Sequence, residues 1–358
     1  MQGFDIAVIE GDGIGPEVTA PTLEILAGLA AAHGFGLDLR KVPAGAGTYL
    51  ETGEALPRST LTAAREADAV LLAACGLPDV RYPDGTEIVP QITLRMELGL
   101  YAGVRPVFVP EGWPTPLAAP GPVDFVLIRE STEGLFHTMG RGLVEPDRAE
   151  ETLRLTRATT AKVSAFGFRL AARRRAEGRG PGRVMCVDKA NVFRAFAFMR
   201  EVFMAEAEAW PELTAEAAYV DAVALRMVTA PAAFDVMVTE NMFGDILSDL
   251  GAGLMGGLGV APSADIGDAH AVFQPCHGTA PDIMGEGRAN PVAMILSGAM
   301  MLDWLAETRA APALAEAGAR LRAATLDAVI SGEARTADVG GTATTGDAAA
   351  AVKVRLGL

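Results

Sequence analysis

Short apolar runs alternate along the chain with longer stretches of helical periodicity. The first run, FDIAVIE at 4–10, leads through the turn GDGIGPEV into a helical stretch that reaches Ala32. The predicted buried strands lie at 4–10, 67–74, 123–130, 182–189, 234–241 and 269–278. Further helices are predicted at 151–177, 191–208, 243–255, 291–307 and 313–331. Strands that alternate with helices predict an α/β fold whose parallel sheet is covered on both faces.

Polar residues follow four of these strands at the points where they end: Arg129-Glu130, Asp188-Lys189, Glu240-Asn241 and His277-Gly278. Open parallel sheets bind their ligands at the carboxyl ends of the strands, so we expect one shared site at this edge. The length of 358 residues suits two domains.

The composition narrows the range of partners. The chain carries a net charge of −15, and only four of its 30 basic residues are lysines. A nucleic-acid binder usually has a basic surface, so nucleic acid is not expected as a partner. An acidic substrate would need a local set of arginines, because the overall field repels it. The basic run at Arg173, Arg174, Arg175 and Arg179 is interpreted as a solvated helix end.

Cysteines and apolar stretches bear on the compartment. The three cysteines, Cys75, Cys186 and Cys276, are an odd number without paired spacing, so a disulfide framework is not expected. The N-terminal segment lacks the basic region that opens a signal peptide. The longest uncharged stretch, 250–264, is too short to span a membrane. We expect a cytoplasmic protein that does not enter the membrane.

Two sets of charged residues suit a metal-bound acid. Arg95, Arg105 and Arg129 could clamp two substrate carboxylates, since guanidinium groups bind carboxylates bidentately; each alone would more often be a surface residue.

Asp245 and Asp249 lie four apart on a predicted helix and share one side, where like charges repel unless a cation sits between them. Oxygen ligands suit Mg²⁺ or Mn²⁺. The alternative is an acidic first turn that the helix dipole favours.

Two single residues, Asp221 and Lys189, are further candidates for the same site. Asp221 in YVDAVALRMV is most simply a helix cap, and it becomes a third metal ligand only if the fold brings it to the aspartate pair. Lys189 lies at a strand end beside Asp188 and Asn191. This position suits either a general base or a structural ion pair with Asp188.

Two glycine-rich segments are candidates for cofactor contact. GDGIGPE at 11–17 follows a strand and opens a helix, as phosphate-binding turns do, but a plain tight turn explains it equally well. In HGTAPDIMGEGRANP at 277–291, backbone amides could cradle phosphates. Asp282 could accept hydrogen bonds from the ribose hydroxyls of NAD and would repel the extra phosphate of NADP. His277 alone would more often be a packed core histidine.

Seven motifs occur in an order that resembles a known family. They are GDGIGPEV, LRMELGLYAGVRP, RESTEGLF, VDKANVF, YVDAVALRMV, ENMFGDILSD and HGTAPDIMGEGRANP. Together they resemble the isocitrate/isopropylmalate dehydrogenase family of β-decarboxylating dehydrogenases, which includes tartrate and D-malate dehydrogenases. The resemblance spans nearly the whole chain and is most specific in the aspartate pair, the lysine motif and the HGTAPD loop.

The resemblance implies a two-domain α/β fold of the isopropylmalate dehydrogenase type, with parallel-rich sheets flanked by helices, and not the Rossmann fold. Residues 1–103 and 258–358 would form the first, cofactor-side domain. Residues 104–257 would form the second, which carries the dimer interface and the metal and substrate residues. A homodimer is implied, with each active site shared between the two subunits.

The resemblance also implies NAD and Mg²⁺ or Mn²⁺ as cofactors, and the family's functional residues carry over to matching positions. Arg95, Arg105 and Arg129 would hold the substrate carboxylates, with Gln91 and Asn191 as further substrate contacts. Asp245 and Asp249 would bind the metal together with Asp221 of the partner subunit, and the partner's Lys189 would act as the base. The nucleotide would be bound by His277, Gly278, Ala280, Asp282, Ile283 and Asn290, in a loop whose APDI form resembles that of NAD-using members.

The implied reaction oxidises a malate-type 2-hydroxy acid. The metal would acidify the hydroxyl, Lys189 would take its proton, and hydride would pass from C2 to the nicotinamide, after which the keto acid could lose CO₂. One position departs from the family pattern. Phe136 stands where most members have a tyrosine that is thought to protonate the enolate carbon. Either His137 or a water substitutes, or the natural reaction is a simple oxidation of a tartrate-like acid.

A second departure concerns the substrate side chain. Gln91 stands in a segment where isopropylmalate enzymes have leucines, and a buried amide needs a hydrogen-bonding partner, which argues for a polar substituent. The alternatives are therefore 3-isopropylmalate and a tartrate- or D-malate-type acid. A third alternative is a non-catalytic regulatory or binding subunit, which Phe136 favours and the retained aspartates, lysine and arginines oppose.

Overall fold

The computed structural model describes residues 2–118 and 121–358, and these contain twelve strands and eleven α-helices. The strands are β1 (Gly3–Gly11), β2 (Gly36–Lys41), β3 (Ala69–Ala74), β4 (Ala102–Val109), β5 (Val123–Glu130), β6 (Leu143–Glu145), β7 (Arg148–Glu150), β8 (Arg183–Asp188), β9 (Thr214–Tyr219), β10 (Val236–Thr239), β11 (Pro262–Ile266) and β12 (Ala271–Pro275).

The helices lie between these strands and after the last of them. They are α1 (Gly15–His33), α2 (Ala46–Thr52), α3 (Arg58–Glu66), α4 (Pro90–Glu97), α5 (Arg157–Ala176), α6 (Arg194–Ala207), α7 (Val220–Thr229), α8 (Asn241–Leu254), α9 (Val292–Thr308), α10 (Pro312–Ile330) and α11 (Thr345–Leu356). No helix of the described residues has the length and apolar character needed to cross a membrane.

Ten of the strands form one sheet in the order β2-β1-β3-β12-β11-β4-β5-β10-β8-β9, and β6 pairs only with β7. Most neighbours are parallel, but β11 runs antiparallel to both β12 and β4, and β4 runs antiparallel to β5. The six strands predicted from the sequence are confirmed. The expectation of a wholly parallel sheet is wrong at β11 and β4, and the mixed α/β fold is confirmed.

Helices cover both faces of the sheet. Gly167 of α5 faces Val184, Val236 and Val238, whereas Gly244 of α8 faces Arg129. Arg129 is paired with Thr239 in the register, and Thr239 points to the opposite face from Val236 and Val238 because successive strand residues alternate. The two helices therefore pack on opposite faces of the sheet. We call the face under α8 the front and the face under α5 the rear.

The two ends of the sheet come from different parts of the chain. Strands β2, β1, β3, β12 and β11 come from its two ends, whereas β5, β10, β8 and β9 come from its middle. This arrangement agrees with a division into 1–103 plus 258–358 and 104–257, which stays a prediction.

The basic run on α5 is not a uniformly solvated helix end. The Arg174 side chain is only 2% exposed; its Nε donates to Asp235 Oδ1 at 2.9 Å and its Nη1 donates to Asp124 Oδ1 at 3.0 Å. Asp235 also accepts from the amides of Gly182 and Arg183. The prediction is therefore wrong for Arg174, which ties α5 to two strands, while its basic neighbours are exposed.

We expect Arg174→Ala to lower the free energy of unfolding by about 3–5 kcal/mol, because it leaves the buried carboxylate of Asp235 without its cation. The matched control is Arg175→Ala, which removes an exposed arginine from the same helix and should change stability by less than about 0.5 kcal/mol. Urea unfolding monitored by circular dichroism measures both. Equal effects of the two substitutions would contradict a special role for Arg174.

Candidate active site

Two arginines bind one buried aspartate at the front of the sheet, and a third arginine lies near enough to act on its charge. Arg95 Nη2 donates to Asp265 Oδ2 at 3.0 Å, and Arg105 Nη2 donates to Asp265 Oδ1 at 3.1 Å. Asp265 lies opposite Gly103 on β4, and Gly103 lies opposite Arg129 on β5. A Cβ atom on Gly103 would stand 3.2 Å from Asp265 Oδ1 and 3.3 Å from Arg129 Cβ. The glycine therefore lets the side chains of β11 and β5 approach each other across β4.

The cluster of Arg95, Arg105, Arg129 and Asp265 is buried and carries more positive than negative charge. Burial raises the pKa of Asp265, but Arg95, Arg105 and Arg129 outweigh it and bring that pKa down to about 2. Burial is the largest cause that lowers the pKa of Arg129; Asp245 opposes it and Arg95 and Arg105 add to it, so that the pKa is about 10. Because Arg129 also pairs with Asp245, three guanidinium groups face two carboxylates, and the remaining excess of donors suits a bound anion.

Two buried polar atoms near the cluster lack a partner. Gln91 and Arg95 lie four apart on α4, so their side chains share one face of the helix. Gln91 Oε1 and Arg95 Nε are both buried and have no hydrogen-bond partner among residues 2–118 and 121–358. A buried unpaired group costs about 1–3 kcal/mol, so these atoms fit a site that is completed by a polar ligand.

Asp265→Asn should lower the free energy of unfolding by about 3–5 kcal/mol at pH 7, because two buried guanidinium groups lose their carboxylate. The folded pKa of Asp265 is about 2 against an ordinary 3.8, so its ionised form stabilises the wild type above pH 4, and this contribution is lost as the pH falls toward 2. The difference in free energy of unfolding between wild type and variant should therefore decrease by about 1 kcal/mol when the pH is lowered from 7 to 3.

Urea unfolding at both pH values tests this expectation. Asp38→Asn, at an exposed position of β2, is the control and should differ little from the wild type at either pH. A gap that widens as the pH falls would contradict the assigned role of Asp265.

The aspartate pair lies beyond the first turn of α8, with Asp245 next to the arginine cluster, so the alternative interpretation as an acidic first turn is wrong. Glu240 caps the helix by accepting from the Phe243 amide. Arg129 donates to Asn241 Oδ1 from Nη2 at 2.7 Å and pairs with Asp245. Burial and the neighbouring Asp245 raise the pKa of Asp249, against the opposing effect of Arg105 and Arg129. The two carboxylates thus repel each other, as expected of residues that share a cation.

The proposed third ligand belongs to another group of residues. Lys189 Nζ donates to Asp221 Oδ1 at 2.7 Å, and this contact lowers the pKa of Asp221. The alternative pairing of Lys189 with Asp188 is wrong: buried Asp188 accepts two hydrogen bonds from Arg200 at 2.7 Å. Asn191 is exposed in the turn after β8.

Within the described residues of one chain, no group of three His, Cys, Asp or Glu side chains is placed to hold a metal. Asp221 therefore does not complete a site with Asp245 and Asp249 inside a single subunit.

The turn at 11–17 supports two neighbouring loops. Asp12 Oδ2 accepts from the amides of Ala46 and Gly76, both at 2.7 Å, and the Ile14 amide donates to the Thr279 carbonyl at 2.8 Å. Glu17 accepts from the Ala289 amide at 2.8 Å. These contacts favour the structural interpretation of the turn, which anchors the loop at 277–291.

The C-terminal helix supports the same loop. Thr345 Oγ1 lies 2.6 Å from both Glu17 Oε1 and the Ala289 carbonyl, and the Thr345 amide donates to the Gly287 carbonyl at 2.9 Å. The loop at 277–291 is thus held between the first and the last helix of the chain.

Inside this loop several groups remain available to a ligand. His277 Nδ1 lies 2.9 Å from the Gly278 carbonyl, whereas its Nε2 is buried without a partner, and burial lowers the pKa of the ring. Ala280 adopts φ +38°, a conformation that non-glycine residues rarely take. Asp282 is exposed. A neutral imidazole with a free ring nitrogen and an exposed carboxylate fit the predicted nucleotide site.

The other predicted nucleotide residues line the same segment. Asn290 is buried and its Nδ2 donates to Asp338 at 3.0 Å, while Ile283 is half-buried in the short 3₁₀ turn Pro281–Ile283.

A family model for isocitrate/isopropylmalate dehydrogenase matches residues 5–352. The chain belongs to this family. The resemblance seen in the sequence motifs is thereby confirmed, and as an isocitrate/isopropylmalate dehydrogenase family member the protein is an enzyme that oxidises a CH–OH group.

Relatives in this family differ in the substrate that their names give. The 3-isopropylmalate dehydrogenase of Salinibacter ruber is 39% identical over 346 residues, which cover 94% of this chain and 90% of that protein. The isocitrate/homoisocitrate dehydrogenase of Thermus thermophilus is also 39% identical over 343 residues, with 96% and 95% covered. The crystal structure of isocitrate dehydrogenase from Methylococcus capsulatus has a TM-score of 0.86 at 33% identity and covers 99% of both chains.

Three site residues of this family member were not predicted from the sequence. They are Asp265, which binds Arg95 and Arg105, Gln274, whose Nε2 donates to Asp265 at 2.8 Å, and Glu17, which holds the loop at 277–291. The sequence signal for Asp265 is a single acid inside the apolar run PSADI. A charge that is buried in a strand requires a partner, and this could have marked it.

Proposed function

We propose that the protein oxidises a malate-type 2-hydroxy acid with NAD as acceptor and with Mg²⁺ or Mn²⁺, in a reaction like that of 3-isopropylmalate dehydrogenase. The observation that carries this proposal is the arginine cluster on β4, β5 and α4, which meets the aspartate pair of α8 through the contact of Arg129 with Asp245. Such a site offers cations for carboxylates beside oxygen ligands for a metal.

The residues of the chain divide the work in this proposal. Arg95, Arg105 and Arg129 hold the carboxylates of the substrate. Asp245 and Asp249 would hold a divalent ion, which would supply Lewis acidity at the 2-hydroxyl. Lys189, as its neutral amine, takes the hydroxyl proton, and Asp221 positions the Lys189 side chain through its 2.7 Å contact. The loop at 277–291 would hold NAD, which would supply the hydride acceptor.

A second copy of the chain would complete the site. Helix α7, which begins beside Asp221, exposes Leu225 and Val228, and α8 exposes Ile246 between the two metal-site aspartates. Apolar side chains on two neighbouring helices form a surface that another subunit would cover. We infer a homodimer in which Asp221 and Lys189 of one subunit face Asp245 and Asp249 of the other.

The substrate side chain is the open part of the proposal. The unpaired Gln91 Oε1 favours a polar substituent, as in tartrate or D-malate, over the isopropyl group. Phe136, half-buried in the short 3₁₀ turn Leu135–Thr138, has no hydroxyl with which to protonate an enolate. The second candidate is therefore a tartrate- or D-malate-type oxidation with little release of CO₂.

A substrate panel tests both candidates. The purified enzyme is given NAD and Mn²⁺ with 3-isopropylmalate, D-malate, tartrate or isocitrate, while NADH and CO₂ are followed together. Equal NADH and CO₂ from 3-isopropylmalate would support the first candidate, and NADH without CO₂ from tartrate the second. Binding of an acid by calorimetry without NADH from any of them would leave the regulatory-subunit alternative and overturn the proposal.

A further inference from the structure

A cavity of about 660 Å³ lies at the rear of the sheet, on the side away from the arginine cluster. It is bounded by α5 on one side and by α9 and α10 on the other, so its two walls come from different ends of the sheet. Pockets that bind small molecules have volumes of roughly 300–1,000 Å³. The cavity is therefore large enough for an organic ligand.

The floor of the cavity is the reverse side of the active-site strands. Val104 and Pro106 line it, and Arg105 between them points to the front. Ile266 lines it next to Asp265, which also points to the front. This arrangement follows from the alternation of side chains along a strand. A molecule in the cavity would thus pack on the backs of the strands that hold the arginine cluster.

The walls of the cavity are rich in aromatic and aliphatic side chains. Phe166 comes from α5, Phe273 from β12, and Trp304 from α9 together with Leu296 and Met300. Such a lining favours a ligand with an aromatic or branched apolar body.

One arginine at the edge of the cavity forms no ion pair with the acids that line it. These acids are already paired: Asp124 with Arg174, Asp268 with Lys162, Asp303 with Arg322, Glu307 with Arg173, and Glu177 with Arg179. Arg169 lines the cavity and is exposed, and its guanidinium lies 5.9 Å from the centre of the Phe166 ring. Its charge helps to lower the pKa of Asp268, but within the described residues it has no carboxylate at ion-pair distance. Charge complementarity therefore favours an acidic head group on the ligand.

We propose that this cavity binds a small organic acid with an aromatic or branched apolar body, whose acid group lies on Arg169. The site is separate from the nucleotide loop and from the arginine cluster. It does not depend on the function proposed above, since binding is measured without turnover.

The test uses 8-anilinonaphthalene-1-sulfonate, an aromatic body with one acidic group, and the whole chain. Titration should give one site per chain, with energy transfer from Trp304 that is lost in Trp304→Phe. Arg169→Gln should weaken the affinity about five-fold, the effect of one exposed ion pair. The matched control, Arg157→Gln, removes an exposed arginine of the same helix outside the cavity and should leave the affinity within about two-fold.

Met300→Trp should block the cavity and abolish binding, with a thermal unfolding midpoint close to that of the wild type. Displacement of the dye by NAD would place it on the nucleotide loop and overturn the proposal. Equal affinities of Arg169→Gln and Arg157→Gln would overturn it as well. Both arginines are exposed, so their substitution should not prevent folding. The comparison of these two variants therefore tests the proposal even if Met300→Trp fails to fold.

Discussion

Lys189→Met is expected to reduce kcat by about 10²–10⁴-fold, the usual contribution of a general base. Methionine keeps the length and apolar stem of the side chain but cannot take a proton from the substrate hydroxyl. Lys189 contacts Asp221 and follows β8, which is separated in the sheet from β12 and the loop at 277–291, so NAD affinity should change little. Stopped-flow absorbance of NADH measures hydride transfer, and calorimetry measures NAD binding.

The control for this variant is Lys41→Met. Lys41 is an exposed lysine on β2 that pairs with Glu10, and its loss should leave kcat within about two-fold. If Lys189→Met turned over at the wild-type rate, Lys189 could not be the base. If it failed to bind NAD, its effect on turnover would be structural.

Two inactive variants should restore activity when they are mixed. In the proposed site, Asp249→Asn lacks a metal ligand and Lys189→Met lacks the base, so each homodimer should be inactive. In a mixed dimer, one of the two sites combines Asp249 of one chain with Lys189 of the other and is intact. After unfolding and joint refolding at equal concentrations, half of the dimers are mixed, so about one quarter of the wild-type activity should return.

The matched control mixes Lys189→Met with Asp221→Asn. Both residues are contributed to a site by the same subunit, so neither site of the mixed dimer is intact and no activity should return. Recovery in this control, or none in the first mixture, would contradict a site that two subunits share. The two mixtures contain equally disruptive variants, so refolding yield affects them alike.

The sequence predicted the strands with an unbroken apolar run in their interior and missed those whose run is short or interrupted. β3 is buried along its whole length and was found, whereas β11 is five residues long and carries Asp265. β4 contains Pro106, which is tolerated because β11 pairs with β4 only as far as Val104. Short or proline-containing strands give weak periodicity, and only the pairing of distant segments reveals them.

The sequence predicted individual residues of the candidate site but not the contacts that join them. The three arginines and the aspartate pair follow from residue type and spacing. The role of Asp265 follows from cross-strand register, which no local pattern contains. The same reason explains the error at Arg174, whose partners Asp124 and Asp235 lie 50 and 61 residues away along the chain.

The support of the loop at 277–291 by Thr345 has a consequence for protein synthesis. The loop is anchored by Glu17 near the beginning of the chain and by Thr345 at the start of the last helix. A nascent chain from which α11 has not yet emerged contains all the strands of the sheet but lacks this support. We therefore expect nucleotide affinity to be acquired only after α11 has left the exit tunnel of the ribosome.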